Sequence, residues 1–227
     1  MTLDQFLREN PPADMPFFPG ARVTEDFGLR KEKVVLDMGA SPFHLGVDRA
    51  GGQLIEMPFD GHVYWRLVGG VAGSVLSLIP DGFKLEIQVF HTLHHDRHVR
   101  NYEERFLTGE PLPLMPSNIG LASGVHTHTE VIMPFDSTTF ERFKGERLLV
   151  DRGIVDTDEI GRRYRELGFD ADEVERVTVR CIQQVKTWTM TEYGEHFAIR
   201  KSLPGYRKPQ WGAGPTFHVD SMYLLEI

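Results

Sequence analysis

Cysteine is nearly missing from this sequence: Cys181 is the single one in 227 residues. One thiol cannot close an internal disulfide, so no disulfide framework holds the fold, and Cys181 is expected as a small buried hydrophobe. No apolar run approaches the roughly 20 residues that a membrane-spanning helix needs, which excludes such a span. The first ten residues do not join a basic segment to an apolar one, so they do not read as a secretory signal. With 33 acidic against 25 basic side chains the formal net charge is −8. That balance, with no Lys/Arg cluster to offset it, excludes nonspecific nucleic-acid binding and argues against simple electrostatic capture by an anionic cell wall. Internal repeats and low-complexity tracts are absent too. What is present is a composition 41% hydrophobic, sufficient for a soluble chain with one large or two small packed cores.

Three regions follow from the distribution of turn residues. Residues 1–18 form an arm, with apolar Leu3, Phe6 and Leu7 and a proline-rich exit through Pro11, Pro12, Pro16 and Pro19. It is expected either to pack on the protein or to act as a docking peptide. Residues 19–136 are β-rich, with Gly and Asp-Gly turns at short intervals, and predict an antiparallel β-sheet or sandwich. Within them Asp81-Gly82 marks a hairpin between strands at 74–79 and 83–91. Residues 137–227 read as an α+β extension, placed to pack on the preceding domain or to serve assembly. Asp156 and Asp170 are N-caps with Glu159 and Glu173 three residues on, and Gly168 stops the first helix. Ile160, Tyr164 and Leu167 make one apolar stripe, and Val174, Val177, Cys181 and Val185 make another. The β-branched run Val177-Thr-Val-Arg180 leaves open that part of the second element is strand. Residues 196–199 and 216–227 return to a β pattern, separated by a Gly/Pro/aromatic loop at 204–215 that serves as a surface connection or flanks a partner or cleft.

Two short motifs carry chemistry. In Gly124-Val-His-Thr-His-Thr-Glu130 the alternation of an extended strand puts His126 and His128 on one face, where a His-x-His pair presents two imidazoles to one ion or substrate. Glu130 shares that face and can orient an imidazole. In His44-Leu-Gly-Val-Asp48 an imidazole and a carboxylate become neighbours once the segment turns. Two histidines and an aspartate make a three-ligand, open-coordinate zinc site, the arrangement that activates a water. The spacing excludes two other metal folds: a cupin places its glutamate four or five residues after His-x-His, and a zincin needs His-Glu-x-x-His on a helix.

The order Phe27-Gly-Leu-Arg30, His44-x-Gly-x-Asp48, Asp60-Gly-x-Val63, Asn118-Ile-Gly120 and Gly124-x-His-x-His-x-Glu130 resembles the lysostaphin-type zinc endopeptidases that cut peptidoglycan cross-bridges. The likeness covers residues 17–135. It implies a lysostaphin-like peptidase domain over residues 19–136 with Zn2+ on His44, Asp48 and His128, and a catalytic His126 beside the metal. It also implies one more catalytic histidine at the end of a central strand. Along residues 83–91, Phe83, Leu85, Ile87, Val89 and His91 share one face and Lys84, Glu86 and Gln88 the other, so His91 is expected to leave the strand on the inward side; His94 and His95 remain substitutes. Between Ile119 and His126 the chain is shorter than is usual in the family, and after His91 it is longer, so the cleft walls and substrate preference are expected to differ. All five expected positions are occupied, which argues against a decayed site.

The function implied is metal-assisted hydrolysis of a peptidoglycan peptide. A wall-cutting motif set without an export signal suggests an enzyme held on a phage tail or baseplate by neighbouring proteins, located in the virion, or otherwise made in the cytoplasm and released by another route. The alternatives are a catalytically silent assembly subunit that retains the fold and zinc, and glycan or peptide binding without turnover. His62, His98, His218 and Asp220 are expected as ordinary residues.

Overall fold

Alternating apolar positions between Gly and Asp turns yield a chain that is mainly β. The computed structural model describes residues 21–51, 55–70, 72–120, 124–135, 137–203, 211–212 and 214–221, together with Gln5 and Pro209. Its strands are β1 (Ala21–Glu25), β2 (Gly28–Leu29), β3 (Phe43–His44), β4 (Val47–Gly51), β5 (Gly61–Gly69), β6 (Gly73–Pro80), β7 (Glu86–Phe90), β8 (Thr92–His94), β9 (Asn101–Phe106), β10 (Leu114–Pro116), β11 (His126–Pro134), β12 (Val150–Asp151), β13 (Ile154–Val155), β14 (Met190–Tyr193), β15 (Phe197–Arg200) and β16 (Thr216–Val219). Among the residues from Ala21 on that are described, the α-helices are α1 (Lys33–Asp37), α2 (Ser137–Phe140), α3 (Thr157–Glu166) and α4 (Ala171–Thr187), with a 3-10 turn at Glu141–Phe143 after α2.

Among the described residues, twelve strands join one antiparallel sheet in the order β13-β12-β14-β15-β16-β11-β7-β6-β5-β9, with β4 also on β11 and β1 on β4. The short pairs β2–β3 and β8–β10 stand apart from it. Strand β11 organises the whole. One of its edges pairs with β7 over residues 128–132. The other is divided between β4, along 126–129, and β16, along 131–134. The division falls at Glu130, so the C-terminal region continues the same sheet.

One face of β11 explains why that continuation is stable. Val131 and Met133 pack with Ile87 and Val89 of β7, Leu76 and Leu78 of β6, and Phe197, Ile199, Phe217 and Val219 of β15 and β16 in a single core. Burying Phe197 and Phe217 fully stabilises by roughly 1.5–3 kcal/mol each. The Asp81-Gly82 turn is present, with Gly82 at φ 74°. Glu86 and Gln88, expected on an outward face, are 1% exposed. Ser77 Oγ and Gln88 Nε2 both donate to Glu86 Oε1, at 2.6 and 2.7 Å. Both faces of β7 are covered, which the alternation of polar and apolar residues does not reveal.

The helices follow their caps. Asp156 accepts from the Glu159 amide at 2.9 Å, and Asp170 and Glu173 form a reciprocal capping box; each cap contributes about 1 kcal/mol. Gly168, at φ 86°, takes the left-handed conformation that ends α3. Because the chain reverses there, Leu167 is 46% exposed and Phe169, just past the turn, is buried instead. Residues 177–180 are helical throughout, since the buried stripe Val174, Val177, Cys181 and Val185 outweighs β-branching. This stripe joins Phe43, Leu45, Tyr164 and Tyr193 in a second core. The β-strands of the tail end at Val219 within the described residues; the arm 1–18 apart from Gln5, residues 222–227 and most of the loop 204–215 lie outside them. No described helix is long and apolar enough to cross a membrane.

Candidate metal centre

His44 ends β3, Asp48 lies in β4, and Asp48 is the cross-strand partner of His128 on β11. Antiparallel partners share a face, so sheet register alone brings two of the three residues together. Gly46 brings the third. A Cβ there would stand 2.3 Å from the Thr129 carbonyl oxygen and 2.9 Å from His128 Cε1, so only glycine lets the turn between β3 and β4 lie against β11. The result is a triangle of donor atoms: His44 Nε2 to Asp48 Oδ1 3.2 Å, His128 Nδ1 to Asp48 Oδ1 2.8 Å, and His44 Nε2 to His128 Nδ1 2.9 Å.

The remaining ring nitrogens decide what this triangle wants. His44 Nδ1 lies 2.6 Å from the Asp26 carbonyl oxygen; a carbonyl only accepts, so Nδ1 carries the hydrogen and the neutral ring turns a lone pair at Nε2 inward. His128 Nε2 donates to Glu130 Oε1 at 2.9 Å, which likewise leaves Nδ1 with a lone pair. Two lone pairs and a carboxylate oxygen therefore converge, an arrangement that repels unless a cation sits among them. Ligand atoms on a tetrahedral zinc with bonds of about 2.0–2.2 Å stand roughly 3.3 Å apart, slightly more than these edges. His44, Asp48 and His128 thus fit a metal ion, and they form the candidate metal-binding cluster among the described residues.

Electrostatics agree with that reading. Burial would raise Asp48, but the His128 and His44 rings beside it, which donate to its carboxylate when they carry a proton on the facing nitrogens, hold its carboxyl far below the usual carboxylate range. Burial lowers His44 against the opposing pull of Asp48. For His128 burial also acts downward, yet Asp48 and Glu130 together raise it, so that in the metal-free protein a proton competes for the position between two carboxylates. Arg30 stands behind Asp48: its guanidinium is 3.8 Å from Oδ2, pairs with Glu25, and donates from Nε to the Ser41 carbonyl at 3.0 Å. Asp48 and His128 keep 13% and 16% of their side chains exposed, which leaves the centre reachable from solvent.

His126 and His91 lie together, with ring centroids 4.8 Å apart. The His126 Nδ1–H donates to Gly124 O at 3.0 Å and that of His91 to Ile119 O at 2.8 Å, which leaves Nε2 as the ring atom of each that can exchange a proton. Burial lowers His91 to about 4. His91 stands beside His126, but it does not reach that place by the strand face expected of it. Phe90 pairs with His128 and Gln88 with Glu130, so the site side of β7 is that of Glu86, Gln88 and Phe90, while Ile87 and Val89 point into the core. Strict alternation would send His91 into the core as well. Its backbone instead adopts φ 61°, a left-handed conformation uncommon outside glycine, and this breaks the alternation at the strand end. His94 packs on Trp65 and Tyr102, and the His95 amide donates to Pro113 O.

Sequence reasoning missed the contribution of the C-terminal region. His218, expected as an ordinary strand residue, is fully buried and donates from Nδ1 to Glu130 Oε2 at 3.0 Å. Gln184 of α4 accepts from the Phe43 amide at 2.9 Å and donates to the Phe43 carbonyl at 2.8 Å. Tyr193 donates to the His44 carbonyl at 3.1 Å and stacks on Phe27. The one sequence signal for any of these was the His218, Asp220 spacing, which names no partner.

No protein-family model matches the chain, and no curated protein does. Among solved structures, a mutant catalytic domain of the prophage-encoded M23 protein EnpA from Enterococcus faecalis aligns with 52% of this chain and 86% of its own at 19% identity and a TM-score of 0.39. LytU aligns over 52% of this chain and 77% of its own at 26% identity and a TM-score of 0.39. The catalytic domain of the antimicrobial peptidase lysostaphin from Staphylococcus simulans aligns over 60% of this chain and 90% of its own at 15% identity and a TM-score of 0.38. These scores are too low to bear on function, which rests on the centre itself.

Proposed function

We propose that the protein is a zinc-dependent endopeptidase that cleaves peptide cross-bridges of bacterial peptidoglycan. The observation that carries this reading is the convergence of three metal-ligating atoms, from His44, Asp48 and His128, beside two further imidazoles whose Nδ1 atoms are held on backbone carbonyls. Zinc held by the three residues supplies Lewis acidity, polarising a carbonyl and bringing the pKa of a water to about 7. The chain's own residues handle protons and position. His126 and His91 accept a proton at Nε2 from the attacking water or pass one to the leaving amine, a contribution of about 10²- to 10⁴-fold. His91, held near pKa 4, is neutral and able to accept across the neutral range. Arg30 and Glu130 keep Asp48 and His128 in place from behind. The order of sequence motifs supports peptidoglycan as the substrate class.

We place the enzyme on a phage tail or baseplate. Its net charge of −8 disfavours unaided adsorption to an anionic wall, whereas fixation on a particle supplies effective concentration without affinity. Mass spectrometry of purified virions tests this; the chain's absence from particles would reject it. The enzymatic reading is tested with purified peptidoglycan: the zinc-loaded protein should release new free amines, a chelator should stop the release, and zinc should restore it. No release from the zinc-loaded protein would reject hydrolysis in favour of a silent assembly subunit.

A further inference from the structure

The polar chain that begins at the metal cluster continues past Glu130. One Glu130 oxygen accepts from His128 Nε2 at 2.9 Å and the other from His218 Nδ1 at 3.0 Å. His218 Nε2 in turn lies 3.3 Å from the Thr216 hydroxyl, which donates to it once Nδ1 carries the ring hydrogen. Glu130 is 3% exposed and His218 not at all. His218 belongs to β16, which takes over the edge of β11 where β4 leaves it. An imidazole in a dry position is costly unless it is hydrogen-bonded, and its cross-strand neighbours Ile132 and Ala198 would accept an apolar residue. Packing therefore gives no reason for a histidine here; the shared carboxylate does.

We infer that His218 is a positioning residue of the metal centre, acting through Glu130 to fix the orientation and Nε2–H tautomer of His128. With His218 in place Glu130 is held from both oxygens, and the His128 Nδ1 lone pair stays aimed at Asp48 Oδ1 and His44 Nε2. Without it one buried oxygen loses its imidazole donor, the carboxylate turns, and His128 loses a fixed acceptor. The other ligand histidine is braced by the same region, through Gln184 and Tyr193 on the backbone of Phe43 and His44. Helix α4 and strands β14 and β16, through Gln184, Tyr193 and His218, thus support the centre. The inference rests on the zinc reading above.

The test is zinc affinity of the full chain, measured by competition with a chromophoric chelator, beside circular dichroism and the melting midpoint of each apoprotein. His218→Ala should bind zinc about 10–100-fold more weakly, as is usual when the partner of a ligand histidine is lost. His218→Asn, whose amide nitrogen stands near the place of Nδ1, should recover most of that loss; a purely space-filling role would not be rescued this way. Should His218→Ala fail to fold, Glu130→Gln breaks the same link, because it replaces one of the two accepting oxygens by an NH2 group that cannot accept from an imidazole N–H, and it should weaken zinc binding as well. Nitrogen-15 spectra of the zinc-loaded wild type should show the proton of His128 on Nε2 and that of His218 on Nδ1. Wild-type affinity in His218→Ala or Glu130→Gln, or the opposite tautomer at His218, would overturn the inference alone. A wild type that binds no zinc would overturn the metal reading with it.

Discussion

Replacing Gln184 with leucine removes both hydrogen bonds that tie helix α4 to strand β3. Gln184 bonds the amide and the carbonyl of Phe43, at 2.9 and 2.8 Å, and Phe43 is fully buried. Neither backbone group gains access to water when the side chain is removed. A buried polar group left unsatisfied costs about 1–3 kcal/mol. Two such groups, less the small gain from burying leucine, cost about 2–5 kcal/mol, roughly 5–15 °C in melting midpoint for a chain of this size. Chemical denaturation should show a lower midpoint with an unchanged slope. Gln184→Glu keeps an acceptor for the Phe43 amide but sets a carboxylate oxygen against its carbonyl, so at neutral pH it should be destabilised as well, recovering in part as the carboxyl is protonated. Because His44 follows Phe43 directly, excess zinc should return some stability by binding only the folded form. A cost below about 0.5 kcal/mol for Gln184→Leu, the range of ordinary surface changes, would refute the clamp.

Four other expectations follow from the structure. His128→Ala should lose most of the roughly one zinc per chain expected of a mononuclear site, read by elemental analysis; full retention would remove His128 from the ligand set. His126→Ala should keep its zinc and fold while amine release falls by about 10²-fold or more, and loss of zinc instead would mean that His126 and His128 have exchanged roles. His91→Ala should impair release as well, whereas activity retained there and lost in His94→Ala or His95→Ala would move the second histidine into the loop. Arg162 and then Arg163, both hydrogen-bonded to Glu159, pull its carboxyl down to about 2. A depressed carboxyl contributes stability that is present above its unfolded pKa of about 4.3 and lost as pH falls through 2. The stability difference between wild type and Glu159→Gln should therefore shrink between those limits in acid denaturation, and a constant difference would reject the assignment.

Where structure is set by neighbours in sequence, it could be read from the chain. The capping box at Asp170 and Glu173 is four residues long and appears as written, and the His-x-Gly-x-Asp turn and the His-x-His strand each carry their own geometry, whereas the meeting of Asp48 with His128, 80 residues apart, was implied only by the family resemblance. Contacts that depend on distant pairing were not legible. Glu130 and His218 are 88 residues apart, and nothing in either segment says that β16 completes the edge of β11. The His91 ring is placed by one left-handed residue, invisible to a two-residue period. Leu167 fits a helical stripe, yet the turn at Gly168 gives its place to Phe169. Glu86 and Gln88 read as a solvent face because polarity alone does not distinguish water from a buried polar layer.

Diffraction at the zinc absorption edge from crystals of the zinc-loaded chain tests the central claim most directly. A single anomalous peak should stand within about 2.0–2.2 Å of His44 Nε2, Asp48 Oδ1 and His128 Nδ1. No peak there, or a peak between His91 and His126 instead, would contradict the assignment of the centre.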